Sequence, residues 1–148
     1  MTNEKFTNIV VAVDGSNLSM KAADYAVSLA REQNAKVSAV SVVKFHQADA
    51  LRGSTATLEK FVQAQSQNAQ RWLDLVRSKA EKNEVRFDSR VIRTRSNIPE
   101  EIIKYAKDKR SDLIVMGTRG RTGFKKVILG SVASAVVTHA GCPVMVVR

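Results

Sequence analysis

Short β-branched runs and longer stretches of helical period alternate along this chain. Residues 8–14, Asn-Ile-Val-Val-Ala-Val-Asp, are a near-continuous apolar run of strand length, the pattern of a strand covered on both faces. Ser16 is placed to cap a helix whose Leu18, Ala22, Tyr25, Ala26, Leu29 and Ala30 recur at helical spacing. Residues 36–43 read as a second strand. The polar stretch from His46 to Thr57 has no period and reads as a loop. Beyond it Leu58, Phe61, Val62, Ala69, Trp72, Leu73, Val76 and Ala80 share one stripe, which predicts a helix of about 24 residues, on the order of 36 Å long. The part of that stripe holding Phe61, Trp72 and Val76 reads as intramolecular core.

Val85, Phe87, Ser89 and Val91 alternate with Arg86, Asp88 and Arg90, so residues 85–93 predict a half-exposed strand at or near a sheet edge. Asn97 suits a helix cap, with Pro99, Glu100 and Glu101 in the first turn and Ile102, Ile103, Tyr105 and Ala106 as the apolar face. Residues 112–117 predict a fourth strand, 130–140 a short helix of small residues, and 144–147 a last strand. The order is βαβαβαβαβ. It implies an α/β fold: a five-stranded parallel sheet with right-handed crossovers and helices on both faces. Ligands of such sheets bind beyond the carboxyl ends of the strands, where strand order reverses. The residues just after the first, second and fourth strands are therefore the place for chemistry.

Composition narrows the setting. The chain has 148 residues, 44% apolar and 26% charged, which predicts one globular domain over residues 1–148. The longest apolar runs, Ile9–Val13 and Cys142–Val147, fall far short of the ~20 residues of a membrane span. The first residues lack the basic start and apolar stretch of a secretory signal, and Cys142 is the sole cysteine. A cytoplasmic protein without disulfides is expected. The formal net charge of +10 favours a polyanionic partner without choosing among nucleotide, nucleic acid and acidic lipid.

The segment from Gly117 to Ser131 concentrates candidate chemistry. Gly117 and Gly120 permit close backbone approach, and Gly130 and Ser131 open a helix whose N-terminal amides favour an anion. Arg119, Arg121, Lys125 and Lys126 lie between them with no acid. These features describe a phosphate cradle, although glycines and charge alone fit a long loop of solvated cations equally well. A Walker-type loop is absent, and the first strand–helix turn, Asp14-Gly15-Ser16, lacks the glycine triplet of a dinucleotide site. His46 and His139 are far apart and no cysteine cluster exists, so metal-ligand spacing is missing. No nucleophile, base and orienter stand at a triad-like spacing, and Cys142 reads as a packing residue.

The spacing Gly117-x2-Gly120-x9-Gly130-Ser131 resembles the nucleotide-binding motif of ATP-binding universal stress proteins. The opening Ile9-Val10-Val11-Ala12-Val13-Asp14-Gly15-Ser16, the strand Asp112 to Gly117 and the closing Gly141-Cys142-Pro143-Val144-Met145-Val146-Val147 are similar to that family in the same order. The resemblance covers essentially the whole chain and implies a Rossmann-like, adenine nucleotide alpha hydrolase-like fold. It also implies ATP as ligand, accompanied where needed by a magnesium ion carried on the nucleotide. By the same resemblance Asp14 would contact the ribose hydroxyls, with Ala12 and Val42 at the adenine. Met116 and Gly117 would lie under the nucleotide, and Arg119, Gly120, Gly130, Ser131 and Val132 would surround the phosphates. Two positions depart from the pattern: Ala12 stands where some ATP-binding relatives carry proline, and Arg119 where histidine is common. Arginine there adds a bidentate donor. Asp14 has a structural rival, a hydrogen bond to its own turn.

The leading reading is a nucleotide-dependent regulatory switch without efficient turnover, with slow ATP hydrolysis left open because neither a P-loop lysine nor a metal-holding acid is identifiable. Its downstream protein partner is unknown, and no membrane contact is expected. Two rivals stand beside it. One is a nucleic-acid or anionic-surface binding module, motivated by Arg86, Arg90, Arg93 and Arg95, of which the first three would present one basic face of a strand. The other is an enzyme of nucleotidyl transfer on the same sheet. A homodimer is expected through the short apolar strand at 144–147, whose free edge invites a second copy; the resemblance implies the same.

Overall fold

A computed structural model describes residues 5–46, 55–119 and 129–148. In chain order the elements are β1 (Asn8–Ala12), α1 (Asn17–Gln33), β2 (Lys36–Lys44), α2 (Thr55–Lys82), β3 (Phe87–Thr94), α3 (Ile98–Asp108), β4 (Leu113–Gly117), α4 (Ser131–His139) and β5 (Val144–Val147). The strands form one parallel sheet in the order β3-β2-β1-β4-β5, the α/β architecture that the alternation predicts. From β1 the chain builds outward through β2 to β3, then crosses back to add β4 and β5 on the other side. Strand order therefore reverses between β1 and β4, and a crevice opens where their carboxyl ends diverge.

Register explains why the central strands are apolar on both faces. Ile9 pairs with Val37 and Leu113, and Val11 with Ala39 and Val115. These side chains face α1 and α2, where Ala22, Ala26, Leu73 and Val76 complete a core. Val10, Val40, Ile114 and Met116 face the other way, against Ile102, Tyr105 and Val136 of α3 and α4. Each fully buried Val, Ile or Leu contributes about 1.5–3 kcal/mol relative to exposure. Alanines along α1 let that helix lie close to the sheet. Tyr25 falls off this stripe and is 51% exposed, because the buried face runs through Ala22, Ala23, Ala26 and Ala30 instead.

Local signals set the helix ends. Ser16 Oγ accepts the Ser19 amide at 3.2 Å, and Asn34 closes α1 in the left-handed region at φ 54°. Asn97 Oδ1 accepts the Glu100 amide at 2.9 Å, with Pro99 just inside the helix. Helix α2 has 28 residues, longer than its stripe suggests, and begins at Thr55 inside the stretch expected to be loop. Val85 lies in the turn that closes that helix rather than in a strand. Its amide bonds the Ala80 carbonyl at 2.9 Å after Glu84 turns at φ 56°, so β3 starts only at Phe87.

The basic strand face expected for Arg86, Arg90 and Arg93 does not form. Arg90 pairs with Val40 and its guanidinium lies 5.6 Å from the Tyr105 ring on the α3 side. Arg93, an odd number of residues away, points to the opposite face and donates to Ser66 Oγ of α2 at 2.9 Å. Arg86 donates to the Asn34 carbonyl at 3.1 Å. Strand alternation separates side chains that an average over the segment had grouped. No helix of the described residues is long and apolar enough to cross a membrane.

Candidate functional site

The β1–β4 crevice widens into a cleft of about 840 Å³ at the carboxyl end of the sheet. That lies within the roughly 300–1,000 Å³ of small-molecule sites. Ala12 and Asp14 reach it from β1, Val42 from β2, Met116, Gly117 and Arg119 from β4, and Gly130, Ser131 and Val132 from the start of α4. All nine residues singled out from sequence and placed in the structure thus line one space. The tenth, Gly120, lies outside the described residues, as do Arg121, Lys125 and Lys126.

At the β1 end the backbone is held from both sides. The Val13 amide donates to the Val40 carbonyl at 2.9 Å, extending the β1–β2 ladder past the strand. The Asp14 amide donates to Ser19 Oγ at 3.3 Å, and Asp14 Oδ1 accepts the Ser16 amide at 2.9 Å. The structural rival for Asp14 is therefore realised, yet it engages one carboxylate oxygen only. Between the two residues Gly15 adopts φ +82°, a conformation that disfavours a side chain.

At the β4 end three segments are tied together. The Thr118 amide donates to the Val147 carbonyl of β5 at 2.9 Å, and the Gly130 amide to the Thr118 carbonyl at 2.6 Å. A Cβ on Gly130 would stand 3.0 Å from that carbonyl, and one on Gly117 would stand 3.0 Å from Leu18 Cβ. Glycine at 130 lets α4 begin against the end of β4, and glycine at 117 lets the start of α1 approach that strand end. Helices α1 and α3 have side-chain caps, whereas Gly130 gives α4 none. The amides of Ser131, Val132 and Ala133 therefore have no intrahelical acceptor at a helix end that lines the cleft. With the dipole of α4 and the Arg119 guanidinium nearby, this corner favours an anion.

The opposite part of the cleft is apolar. Ala12, Val42, Met116, Ile98 and Ile102 form a wall continuous with the core under α3 and α4. A third wall was not legible as such. Phe61, Gln65 and Trp72 of α2 lie along the cleft, and Phe61 is 49% exposed rather than core. Their spacing of four and seven residues was visible, but it overlaps the buried stripe of Val62, Ala69, Leu73 and Val76. Ser41, Lys44 and Thr118 also line the cleft and carried no sequence signal.

The pronounced pKa shifts fall elsewhere. Burial works to raise the Asp88 carboxyl, but Lys36, Ser38 and Lys109 outweigh it and bring it to about 2. Its Oδ2 meets Lys36 Nζ at 2.8 Å and Lys109 Nζ at 2.9 Å. Burial, with the nearby Asp88 charge, pushes the Tyr105 hydroxyl up to about 12. Burial also raises the Cys142 thiol, which suits a packing role over a reactive one. Among the described residues no group of three or more His, Cys, Asp or Glu is arranged to hold a metal ion.

Comparison with known proteins is concordant. The model of the universal stress protein family matches residues 5–148. A universal stress protein of Methanocaldococcus jannaschii is 36% identical over 146 residues, which span 97% of this chain and 82% of the relative. The solved structure of the universal stress protein UspA from Lactobacillus plantarum superposes with a TM-score of 0.82 at 29% identity, covering 99% of this chain and 100% of that one. Two more distant structures share the fold. A universal stress protein in complex with cAMP has a TM-score of 0.73 at 22% identity, over 98% of this chain and 99% of that one. One from Archaeoglobus fulgidus in complex with dAMP has a TM-score of 0.66 at 21% identity, over 98% and 100%.

Proposed function

Because this chain belongs to the universal stress protein family, we propose that its cleft binds an adenine nucleotide, with ATP as the ligand, and that the protein acts as a nucleotide-dependent regulatory switch. The observation that carries this reading is the pairing, within one 840 Å³ space, of an apolar wall with an uncapped helix N-terminus beside an arginine. A base needs the first and a phosphate chain the second. The base would rest on Ala12, Val42 and Met116, the ribose near Asp14, and the phosphates among Arg119, Ser131 and Val132. Relatives of this fold solved with cAMP and dAMP support an adenine ligand. A magnesium ion would arrive on the nucleotide and neutralise phosphate charge. The residues described supply no acid cluster for it, and Asp14 is the nearest carboxylate in the cleft.

In this reading the protein binds without efficient turnover, and it works in the cytoplasm. Binding acts as a switch because the nucleotide favours the conformation of the protein to which it binds more tightly. It also works as a homodimer through the free edge of β5. That strand pairs with β4 on one side, and Met145, Val146 and neighbouring Val137 are 36%, 38% and 47% exposed.

The test is calorimetric titration with ATP, ADP and AMP, with the purified protein denatured in parallel and its supernatant examined by mass spectrometry. Saturable heat at one nucleotide per chain is expected, strongest for ATP. Absence of heat at millimolar ATP from protein shown to carry no nucleotide would overturn the reading.

A further inference from the structure

The Asp14-Gly15-Ser16 turn is braced from outside by a residue 57 positions along the chain. An ideal Cβ on Gly15 would stand 2.3 Å from Trp72 Cε2 and 2.5 Å from Cζ2, so the indole of α2 lies directly on the Gly15 α-carbon. Gly15 is at φ +82°, and its neighbour Asp14 has one carboxylate oxygen taken by the Ser16 amide. No described residue donates to the other oxygen. Trp72 and Asp14 line the same cleft.

We propose that Trp72 is a positioning residue for the nucleotide's sugar: its ring fixes the Gly15 turn so that the second Asp14 oxygen is held ready for the ribose hydroxyls. The proposal rests on the nucleotide-binding reading and deepens it. A glycine at positive φ is the most mobile point of a turn, because both signs of φ are open to it. A flat aromatic face pressed on its α-carbon removes that freedom before the ligand arrives, which is where preorganised affinity comes from. The packing is reciprocal: only glycine leaves room for the ring, and the ring occupies the space in which the turn could relax. Trp72 also joins the core of α1 and α2 at its other side, so the brace is anchored to the fold rather than to a loop.

The experiment compares ATP with 2′,3′-dideoxy-ATP on wild type, Trp72→Ala and Trp72→Phe. In wild type ATP should bind about tenfold more tightly than the dideoxy analogue, about 1.4 kcal/mol for the ribose hydroxyls. In Trp72→Ala that ratio should fall towards one, whatever weakening the lost cleft wall brings to both ligands alike; Trp72→Phe should restore most of the ratio. Taking the ratio within each variant separates lost positioning from general loosening, which would weaken both ligands alike. An unchanged ratio in Trp72→Ala, or equal weakening of both ligands, overturns the proposal and leaves nucleotide binding intact. Wild type that binds both analogues equally also overturns it, while wild type that binds neither overturns the parent reading.

Discussion

The Gly130 amide donates to the Thr118 carbonyl at 2.6 Å, closing the chain on itself between the end of β4 and the start of α4. This one bond brings the residue just past β4 and the uncapped helix end to the same corner of the cleft. Gly130 has φ −65°, which any residue adopts, so the demand for glycine there is steric and not conformational. Gly130→Ala would place a Cβ 3.0 Å from the Thr118 oxygen and force the two segments apart by a few tenths of an ångström. We expect a stability loss of under about 1 kcal/mol, the size of a minor overpacking. Nucleotide affinity should fall at least about tenfold, since the amides proposed to meet phosphate move with the helix. Urea unfolding and calorimetry on the same sample check both, and an unaltered affinity would separate this corner from the binding site.

Gly15→Ala meets two obstacles at once, the positive φ and the Trp72 ring. The expected cost is about 2–4 kcal/mol, above the roughly 1 kcal/mol that a left-handed alanine alone entails. Measured against Trp72→Ala as the background, Gly15→Ala should cost only the conformational share, because the ring is no longer in its way. Additive losses in the double variant would show that ring and turn are not in contact.

Asp14→Ala removes both carboxylate oxygens. We expect ATP binding to weaken by about 1.5–3 kcal/mol, the range for a hydrogen bond to a charged group. Asp14→Asn should cost less, because an amide oxygen still accepts the Ser16 amide. Equal affinity in all three proteins would assign Asp14 to its own turn alone.

The Asp88 cluster gives a pH signature remote from the cleft. Its folded pKa of about 2 lies below the ordinary aspartate value of about 3.9. The ionised form is thus favoured by folding: its contribution is complete above about pH 4 and disappears as pH falls towards 2. The carboxylate is 33% exposed, and solvent screening brings the contribution to about 1 kcal/mol. Asp88→Asn should therefore be less stable than wild type by about that amount at pH 7, with the difference closing near pH 2. Chemical denaturation at a series of pH values reads it directly, and a gap constant down to pH 2 would remove the two lysines as its cause.

Met145 and Val146 give the assembly test. Val146→Lys adds a charge to the open side of β5 without touching the buried Val147. Sedimentation should shift from dimer to monomer with nucleotide affinity unchanged; a monomeric wild type would refute the edge-paired dimer.

The sequence alone determined the alternation of strands and helices, because periods of two and 3.6 are written in residues close along the chain. The spacing of Gly117, Gly130 and Ser131 and the opening run through Asp14 were equally local, and so was the family resemblance they carry. Tertiary structure decided what lies opposite what. Strand order set β1 beside β4, and only that adjacency brings Asp14 within one cleft of Arg119 and Ser131. Register sent Arg90 and Arg93 to opposite faces of the sheet. The approach of α2 placed Trp72 on Gly15 and turned Phe61 from a core residue into a wall of the site. Such pairings join residues dozens of positions apart, and their free energy comes from packing across the whole sheet, which no window of neighbouring residues contains.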